Sequence, residues 1–174
     1  MNIITSREWW RKAYKCSINF TSDTNLMWFQ IRITHRIIST NSFLYKIGVL
    51  ANDKCSFCKN ESEDIIHLYW SCDIVKQFWR DFDEWICQKT GVILELRPAD
   101  VFFGKFEAPR ILNLMICLGK FHIHKRRLKN VKPNLEVVKK EILDYYNIEK
   151  YIFAKNCDSD KFLNRWSPMA HLFS

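Results

Sequence analysis

The chain has 174 residues, of which 48% are hydrophobic and 15% aromatic, with only four glycines and four prolines. This composition excludes a disordered chain and disfavours a turn-rich β-sandwich, so we expect one domain, or a domain with an appendage, built from helices with few breaks. The net charge of +8 indicates a polyanionic partner. That partner would be nucleic acid or an anionic membrane surface, with simple solubility as the alternative. No apolar run reaches the roughly 18 residues of a transmembrane helix, and no membrane is predicted among the partners.

The first predicted helix covers residues 6–17. It follows the sequence Thr-Ser-Arg-Glu, which has the spacing of a capping box between Thr5 and Glu8. Apolar residues then recur at helical spacing, as in a helix with one buried face. These residues are Trp9, Trp10, Ala13 and Tyr14. We interpret such tryptophan and phenylalanine stripes as core rather than as stacking surfaces.

A second helix is predicted over residues 26–38, with Ser22 and Asp23 as candidates for its N-cap. This stretch contains many β-branched residues, but its apolar residues do not alternate. Its length of thirteen residues favours a buried helix over a strand. A short third helix over residues 43–48 would end at Gly48.

Three cysteines and one histidine follow within eighteen positions: Cys55, Cys58, His67 and Cys72. The spacing C-x2-C-x8-H-x4-C is that of a structural zinc knuckle, in which a tight turn presents two sulfurs and two further ligands close the site. Four protein ligands leave no open position, so the metal is predicted to hold shape rather than to catalyse. On a straight helix His67 and Cys72 would lie about 140° apart, so we expect a helix break near Ser71 and Asp73.

Other uses of these cysteines are less well supported by the sequence. A redox C-x-x-C pair opens a helix after a strand, and no alternation of strands and helices surrounds this one. A disulfide framework would need an even cysteine count and a secretory signal. The chain has seven cysteines, and its first residues contain neither a basic segment nor an apolar core. Reduced thiols without a metal are the remaining alternative. Reduced cysteines predict a nuclear or cytoplasmic protein.

The chain beyond the knuckle continues as predicted helices. The clearest amphipathic helix covers residues 74–86, Gly91 ends it, and residues 91–108 are predicted to form a linker. Pro109 suits the first turn of a helix that runs to about residue 129, and Pro133 opens a last long helix. The predicted fold is therefore mainly α, a small helical domain stapled by a Cys3His zinc knuckle. Its predicted parts are the N-terminal helices with the knuckle (1–90, core 24–90), the linker (91–108) and a basic C-terminal helical region (109–174).

Basic residues concentrate in the second half of the helix that begins near Pro109. They are Lys120, Lys125, Arg126, Arg127 and Lys129, with Lys132 just beyond. With aromatic rings between them and no acid, they predict a surface that follows nucleic-acid phosphates. The alternative is that they complement the helix macrodipole and are solvated. Arg32 and Arg36 stand four apart, so we expect them on one helix face, where they would extend this surface. His122 and His124 are interpreted as packing or surface groups, with a second metal site as the alternative.

The sequence contains none of the common enzymatic signatures. It lacks G-x-S-x-G, the glycine patterns of phosphate-binding and dinucleotide-binding loops, and an adjacent Asp-Asp pair for a polymerase metal. We therefore predict no catalytic residue, no small-molecule substrate and no enzymatic activity.

An ordered set of residues also points to a known family. The set is Phe29, Gln30, Ile31, Arg32, His35, Arg36, Ile37, Thr40, Asn41, Leu44, Gly48, Cys55, Cys58, Glu63, His67, Leu68, Cys72, Phe78 and Trp79, then Phe103, Gly104, Gly119, Lys120, Phe121, Lys125, Lys132, Pro133 and Trp166. In this order and spacing the chain resembles the C-terminal zinc-binding region of LINE-type (non-LTR) retrotransposon reverse transcriptases.

The resemblance implies several properties of the chain. Cys55, Cys58, His67 and Cys72 would take the zinc-ligand roles. The region would lie downstream of the polymerase in a larger polyprotein and bind element RNA or target DNA during target-primed reverse transcription. The polymerase and endonuclease motifs are not in these residues, so no catalytic role carries over. The leading hypothesis is a non-catalytic, zinc-binding nucleic-acid module. The alternative is a zinc-stabilised scaffolding or protein-interaction module that braces the polymerase part of the polyprotein.

Overall fold

A computed structural model describes residues 6–173, and this part of the chain folds into helices joined by loops. The α-helices are α1 (Arg7–Asn19), α2 (Thr24–Thr34), α3 (Asn41–Lys46), α4 (Asp73–Thr90), α5 (Pro98–Phe103), α6 (Arg110–Leu128), α7 (Leu135–Lys155) and α8 (Ser159–Trp166). A π-helical turn (His67–Ser71) precedes α4, and a 3₁₀ segment (Ser167–Phe173) follows α8. Between residues 6 and 173 the β pairing consists of one isolated antiparallel bridge, which joins Lys54 to Ser62. The predicted mainly α fold is confirmed. No helix in the described range is both long and apolar enough to cross a bilayer.

The first two helices begin at side-chain caps. Ser6 caps α1, where its hydroxyl accepts a hydrogen bond from the Trp9 N–H at 3.1 Å. Thr5, the predicted partner in a capping box, lies outside the described residues. The Asp23 carboxylate caps α2 by accepting from two backbone N–H groups. This helix ends at Thr34, four residues before the predicted end.

The face of α1 that packs against the protein is narrower than predicted. Ala13 and Ser17 are buried. Trp10 and Tyr14, by contrast, keep 37% and 44% of their surface exposed. The prediction of a buried apolar stripe is therefore wrong for these two residues, and α1 presents aromatic rings to solvent.

Helix α6 lies at the centre of the hydrophobic core. Every residue from position 111 to position 120 is buried, so this part of the helix is covered on all sides. Helix α4 approaches it closely, because a Cβ built at Gly119 would lie 3.0 Å from the ring of Trp79. A larger residue at position 119 would therefore push the two helices apart.

The segment predicted as a linker, residues 91–108, has an exposed first part, residues 91–93, and a later part that enters the core. It contains α5, whose last four residues are all buried: Asp100, Val101, Phe102 and Phe103. Asp100 anchors the start of α5 by accepting from the Arg97 backbone N–H at 3.0 Å. Through α5 the core is continuous from the N-terminal helices to the C-terminal ones.

Helices α7 and α8 close the other side of α6. Val138 and Ile142 of α7 are buried, as is Trp166 at the end of α8. The Trp166 indole N–H donates to Glu149 of α7 at 2.8 Å. This bond ties the C-terminal end of the chain to α7.

Candidate metal centre

The four predicted metal ligands converge on one point. The ligand atoms of Cys55, Cys58, His67 and Cys72 all lie within 4.8 Å of one another. Two distances within this group are 3.9 Å between the sulfurs of Cys55 and Cys72, and 3.4 Å between Cys58 Sγ and His67 Nε2. Zn–S bonds of about 2.3 Å and Zn–N bonds of about 2.0 Å place tetrahedral ligand atoms about 3.5 to 3.8 Å apart. The site therefore fits a tetrahedral zinc ion with no open position.

A tight turn presents the first two sulfurs. The Cys55 N–H donates to the Glu61 carbonyl at 2.8 Å, and the Lys59 N–H donates to the Cys55 carbonyl at 3.0 Å. Lys59 itself adopts a left-handed conformation with φ of 61°. The Phe57 N–H points at the Cys55 sulfur from 3.4 Å. The short loop thus turns both cysteines toward the same point.

A π-helical turn brings His67 and Cys72 together. The Cys72 N–H donates to the His67 carbonyl at 3.0 Å, an i to i+5 bond that places the two ligands one turn apart. Cys72 then adopts an extended conformation and becomes the N-cap of α4. The predicted helix break is therefore present, and it is combined with a widened turn that the sequence does not indicate. The Trp79 indole N–H supports this turn by donating to the Tyr69 carbonyl at 2.9 Å.

The start of α4 favours a thiolate at Cys72. A hydrogen bond from the Cys55 thiol, together with the backbone N–H groups of Val75 and Ile74, lowers the pKa of the Cys72 thiol against the opposing effect of burial. The same thiol–thiol bond raises the pKa of Cys55, which donates it. Because metal ligands must be deprotonated, the hydrogen bond from Cys55 and, to a smaller extent, the N–H groups at the start of α4 favour Cys72 as a metal ligand.

Glu61 supports the histidine ligand and was not among the predicted site residues. Its carboxylate lies 3.2 Å from Nδ1 of His67, so the other ring nitrogen, Nε2, faces the cysteine sulfurs. A carboxylate bound to the far nitrogen of a ligand histidine fixes the ring orientation and raises its basicity. The signal available in the sequence was an acid within the loop that joins the two ligand pairs.

A buried ion pair joins the knuckle to α6. Glu63 is 0% exposed, and its carboxylate accepts from the Arg127 guanidinium at 2.7 Å and from the Ser56 N–H at 2.8 Å. The same carboxylate accepts from the Asn41 N–H at the start of α3. Arg127, at 6% exposed, is therefore a structural residue. Its prediction as a nucleic-acid contact is corrected, because its guanidinium is occupied inside the protein.

Lys120 is likewise placed in the core rather than on a surface. Its side chain is 2% exposed, and its ammonium donates to the side-chain carbonyl of Gln30. Gln30 in turn donates to the Phe102 carbonyl at 2.9 Å. Burial lowers the pKa of Lys120 to about 8. A phosphate cannot reach this ammonium, so Lys120 is also removed from the predicted nucleic-acid surface.

The buried Lys120 ammonium gives stability a specific pH dependence. Its pKa of about 8 in the fold, against 10.5 as its ordinary value, means that the unfolded chain binds more protons between these pH values. The Lys120 contribution to stability therefore rises with pH across this window, by on the order of 3 kcal/mol. We expect Lys120→Met to be more stable than the wild type near pH 7, with the difference shrinking toward pH 10.5 in urea denaturation. The exposed Lys89→Met is the control, and a pH-independent difference would contradict the prediction.

The remaining predicted contacts lie at the surface. Arg32 and Lys125 line the same groove, of ≈ 510 Å³, between α2, α6 and α7. Arg36 follows α2 in a left-handed conformation with φ of 57°, so it does not share a helix face with Arg32 as predicted. Arg126 is half-buried and donates to the Lys132 carbonyl at 2.9 Å, while Lys129 is exposed at the end of α6.

The two histidines of α6 take part in packing contacts. His122 Nε2 accepts from the Asn134 N–H at 3.1 Å, and His124 Nδ1 lies 3.1 Å from the Tyr69 hydroxyl. Burial, together with the nearby Arg127 and Arg32, lowers the pKa of His124 to about 4. The ring is therefore neutral at pH 7.

A comparison with known families agrees with this geometry. Residues 2–79 match the family model described as zinc-binding in reverse transcriptase. The match contains all four ligands, ends within α4, and covers less than half of the 174 residues. No curated protein matches the chain. The predicted resemblance is thus confirmed at the level of this family description, and the N-terminal part of the chain, with its Cys3His site, is similar to the zinc-binding module of reverse transcriptases.

Proposed function

We propose that this protein is a non-catalytic module that binds RNA or DNA. We also propose that its metal is zinc and that it derives from the C-terminal region of a LINE-type reverse transcriptase polyprotein. The observation that carries the proposal is the groove between α2 and α6. There an exposed Trp28, with 56% of its surface accessible, lies beside Arg32 and Lys125. An aromatic ring next to cations is the arrangement on which bases stack while the backbone phosphates are neutralised.

The charges in the groove favour phosphate binding along its α2 side rather than along α7. Arg32 has no carboxylate partner among the described residues, so its charge is available to a ligand. The charge of Lys125 is partly neutralised, because its ammonium lies 2.6 Å from Glu141. The same ammonium lies 5.0 Å from the centre of the Phe121 ring. The α7 wall adds Asp144. Phosphates would therefore follow Arg32 and the end of α6 rather than α7.

The surface continues beyond Arg32. A second cavity, of ≈ 470 Å³, shares Arg32 and His124 with the first and extends to Leu128 and Asn130. Lys129 lies between these last two in the chain, and the exposed Arg36 precedes another lining residue, Ile37. Two exposed cations, Arg36 and Lys129, are thus next in the chain to residues that line this second cavity. A nucleic-acid partner would place the protein in the nucleus or the cytoplasm.

The test is a binding titration with single-stranded RNA and with single-stranded and duplex DNA at several salt concentrations. Affinity should fall as salt rises, because cations that neutralise phosphates release counterions. We expect Arg32→Glu with Lys125→Glu to weaken binding about 10-fold or more for many sequences alike, and to flatten the salt dependence. Lys89→Glu with Lys155→Glu, two exposed lysines away from the groove, changes net charge equally and is the control. A flat response of the wild type to salt would contradict the proposal.

A second candidate function is protein interaction, as a scaffold for the polymerase part of the polyprotein. The observation that favours it is a run of exposed apolar side chains in residues 37–50, which are Ile37, Phe43, Tyr45, Ile47, Val49 and Leu50. Clustered exposed apolar residues mark interaction sites. Phe43→Ser with Ile47→Ser should then abolish binding to the polymerase part and leave nucleic-acid affinity unchanged.

A further inference from the structure

We infer that the exposed face of α1 is a separate platform for single-stranded nucleic acid, on which bases stack against Trp10, Tyr14 and His35. This inference rests on the proposed nucleic-acid function and places a contact at a surface distinct from the groove between α2 and α6. We call this surface the α1 platform, defined by these three rings and by Arg7, Arg11 and Lys15.

The three rings form a continuous ladder. The ring centroids of Trp10 and Tyr14 lie 5.9 Å apart with an angle of 31° between their planes. Those of Tyr14 and His35 lie 5.4 Å apart at 32°. All three side chains are exposed. Solvent-facing rings, tilted by 31° and 32° to one another, offer several π surfaces on which bases of a single strand can stack.

Packing against the protein interior fixes the first ring of this ladder, that of Trp10. Trp10 packs edge-on against Trp9 at 5.1 Å and against Phe103 at 5.7 Å, with interplanar angles of 88° and 86°. Phe103 is buried in α5, and Trp9 also contacts it. The exposed ring therefore needs little ordering when a base arrives, which favours binding.

A row of unpaired cations runs beside the rings. Arg7, Arg11 and Lys15 stand four residues apart, so they share one face of α1 at intervals of about 6 Å. They line one surface cavity of ≈ 500 Å³, and none of the three has a carboxylate partner among the described residues. This interval is comparable with the separation of successive phosphates in an extended strand. Like charges four residues apart destabilise a helix, and a bound polyanion would relieve that repulsion.

The same helix could be thought to lie on an anionic membrane, since it combines aromatic and basic residues. Two observations favour nucleic acid instead. Trp10 is held against Trp9 and Phe103 rather than projecting, and Ile18 is the one large aliphatic residue among the exposed apolar side chains of α1. A helix that enters a bilayer needs a broader apolar face than this.

The decisive variant is Tyr14→Leu, which removes the middle ring and keeps an apolar side chain. For a single-stranded RNA of about twenty nucleotides we expect affinity to fall about 5-fold or more, because base–aromatic stacking is lost. Binding to duplex RNA should not change, since its bases are already stacked. Tyr14→Phe should restore binding, and Tyr45→Leu, an exposed tyrosine of α3, is the matched control. Thermal unfolding of each variant verifies that the fold is intact.

Charge reversal and the groove variant separate the outcomes. Arg11→Glu with Lys15→Glu should weaken binding to RNA and reduce the slope of log affinity against log salt by about 1.4. If Trp28→Leu weakens RNA binding and Tyr14→Leu does not, the α1 platform is refuted while the proposed function stands. If the wild type binds no nucleic acid, both fail. If Tyr14→Leu instead reduces binding to phosphatidylserine vesicles and leaves RNA affinity unchanged, α1 is a membrane contact and the inference is wrong.

Discussion

Replacing Cys58 by serine is expected to lower the free energy of unfolding by about 4 kcal/mol or more. The serine hydroxyl cannot replace a thiolate in a Cys3His site, and metal binding supplies folding free energy directly. The knuckle depends on that contribution, because between residues 39 and 66 the buried apolar side chains are those of Cys55 and Phe57. Metal analysis should find about one zinc ion per wild-type chain and less in the variant.

The control for this experiment is Cys157→Ser, which changes an exposed thiol outside the site. Its melting temperature should match that of the wild type. A chelator should destabilise the wild type and this control alike, and should have little further effect on Cys58→Ser. An unchanged melting temperature for Cys58→Ser would show that the four residues converge without a metal contributing to stability.

Replacing Arg127 by alanine should destabilise the protein by about 3 to 5 kcal/mol, because the Glu63 carboxylate would remain buried without its partner. Arg126→Ala, one position earlier and half-buried, should cost less than about 1 kcal/mol. Urea denaturation of the two variants in the absence of any ligand measures the difference. Glu63→Gln combined with Arg127→Met should recover much of the loss, because no uncompensated charge is then buried. Equal effects of Arg126→Ala and Arg127→Ala would contradict this account.

The metal site could be predicted from the sequence because its chemistry is local. Cysteine and histidine at that spacing have few other uses, and the geometric conflict between His67 and Cys72 was visible from helix periodicity alone. The π turn that resolves the conflict could not be predicted, since it depends on Trp79 of α4 reaching back to the Tyr69 carbonyl. Tertiary packing decided the local conformation there.

Burial of charged residues was the least predictable feature. Lys120, Lys125 and Arg127 look alike in a basic run of sequence. Only the fold shows that Lys120 is buried against Gln30, and Arg127 against Glu63. Hydrophobic periodicity predicted that Trp10 and Tyr14 are buried, whereas both are exposed. A stripe of aromatic residues indicates which residues share a face of a helix, but not whether that face meets the core.

The position of Glu63 connects the candidate metal site directly to the end of α6. This carboxylate sits in the chain between Cys58 and His67, and it is bonded to Arg127 of α6. If zinc orders the loop that carries Glu63, and a ligand bound near Lys125 and Lys129 orders the end of α6, the ion pair couples the two binding events. Each would then change the affinity for the other by the same factor, because coupling between two sites is reciprocal. Zinc would in that case act as an effector of nucleic-acid affinity without touching the nucleic acid.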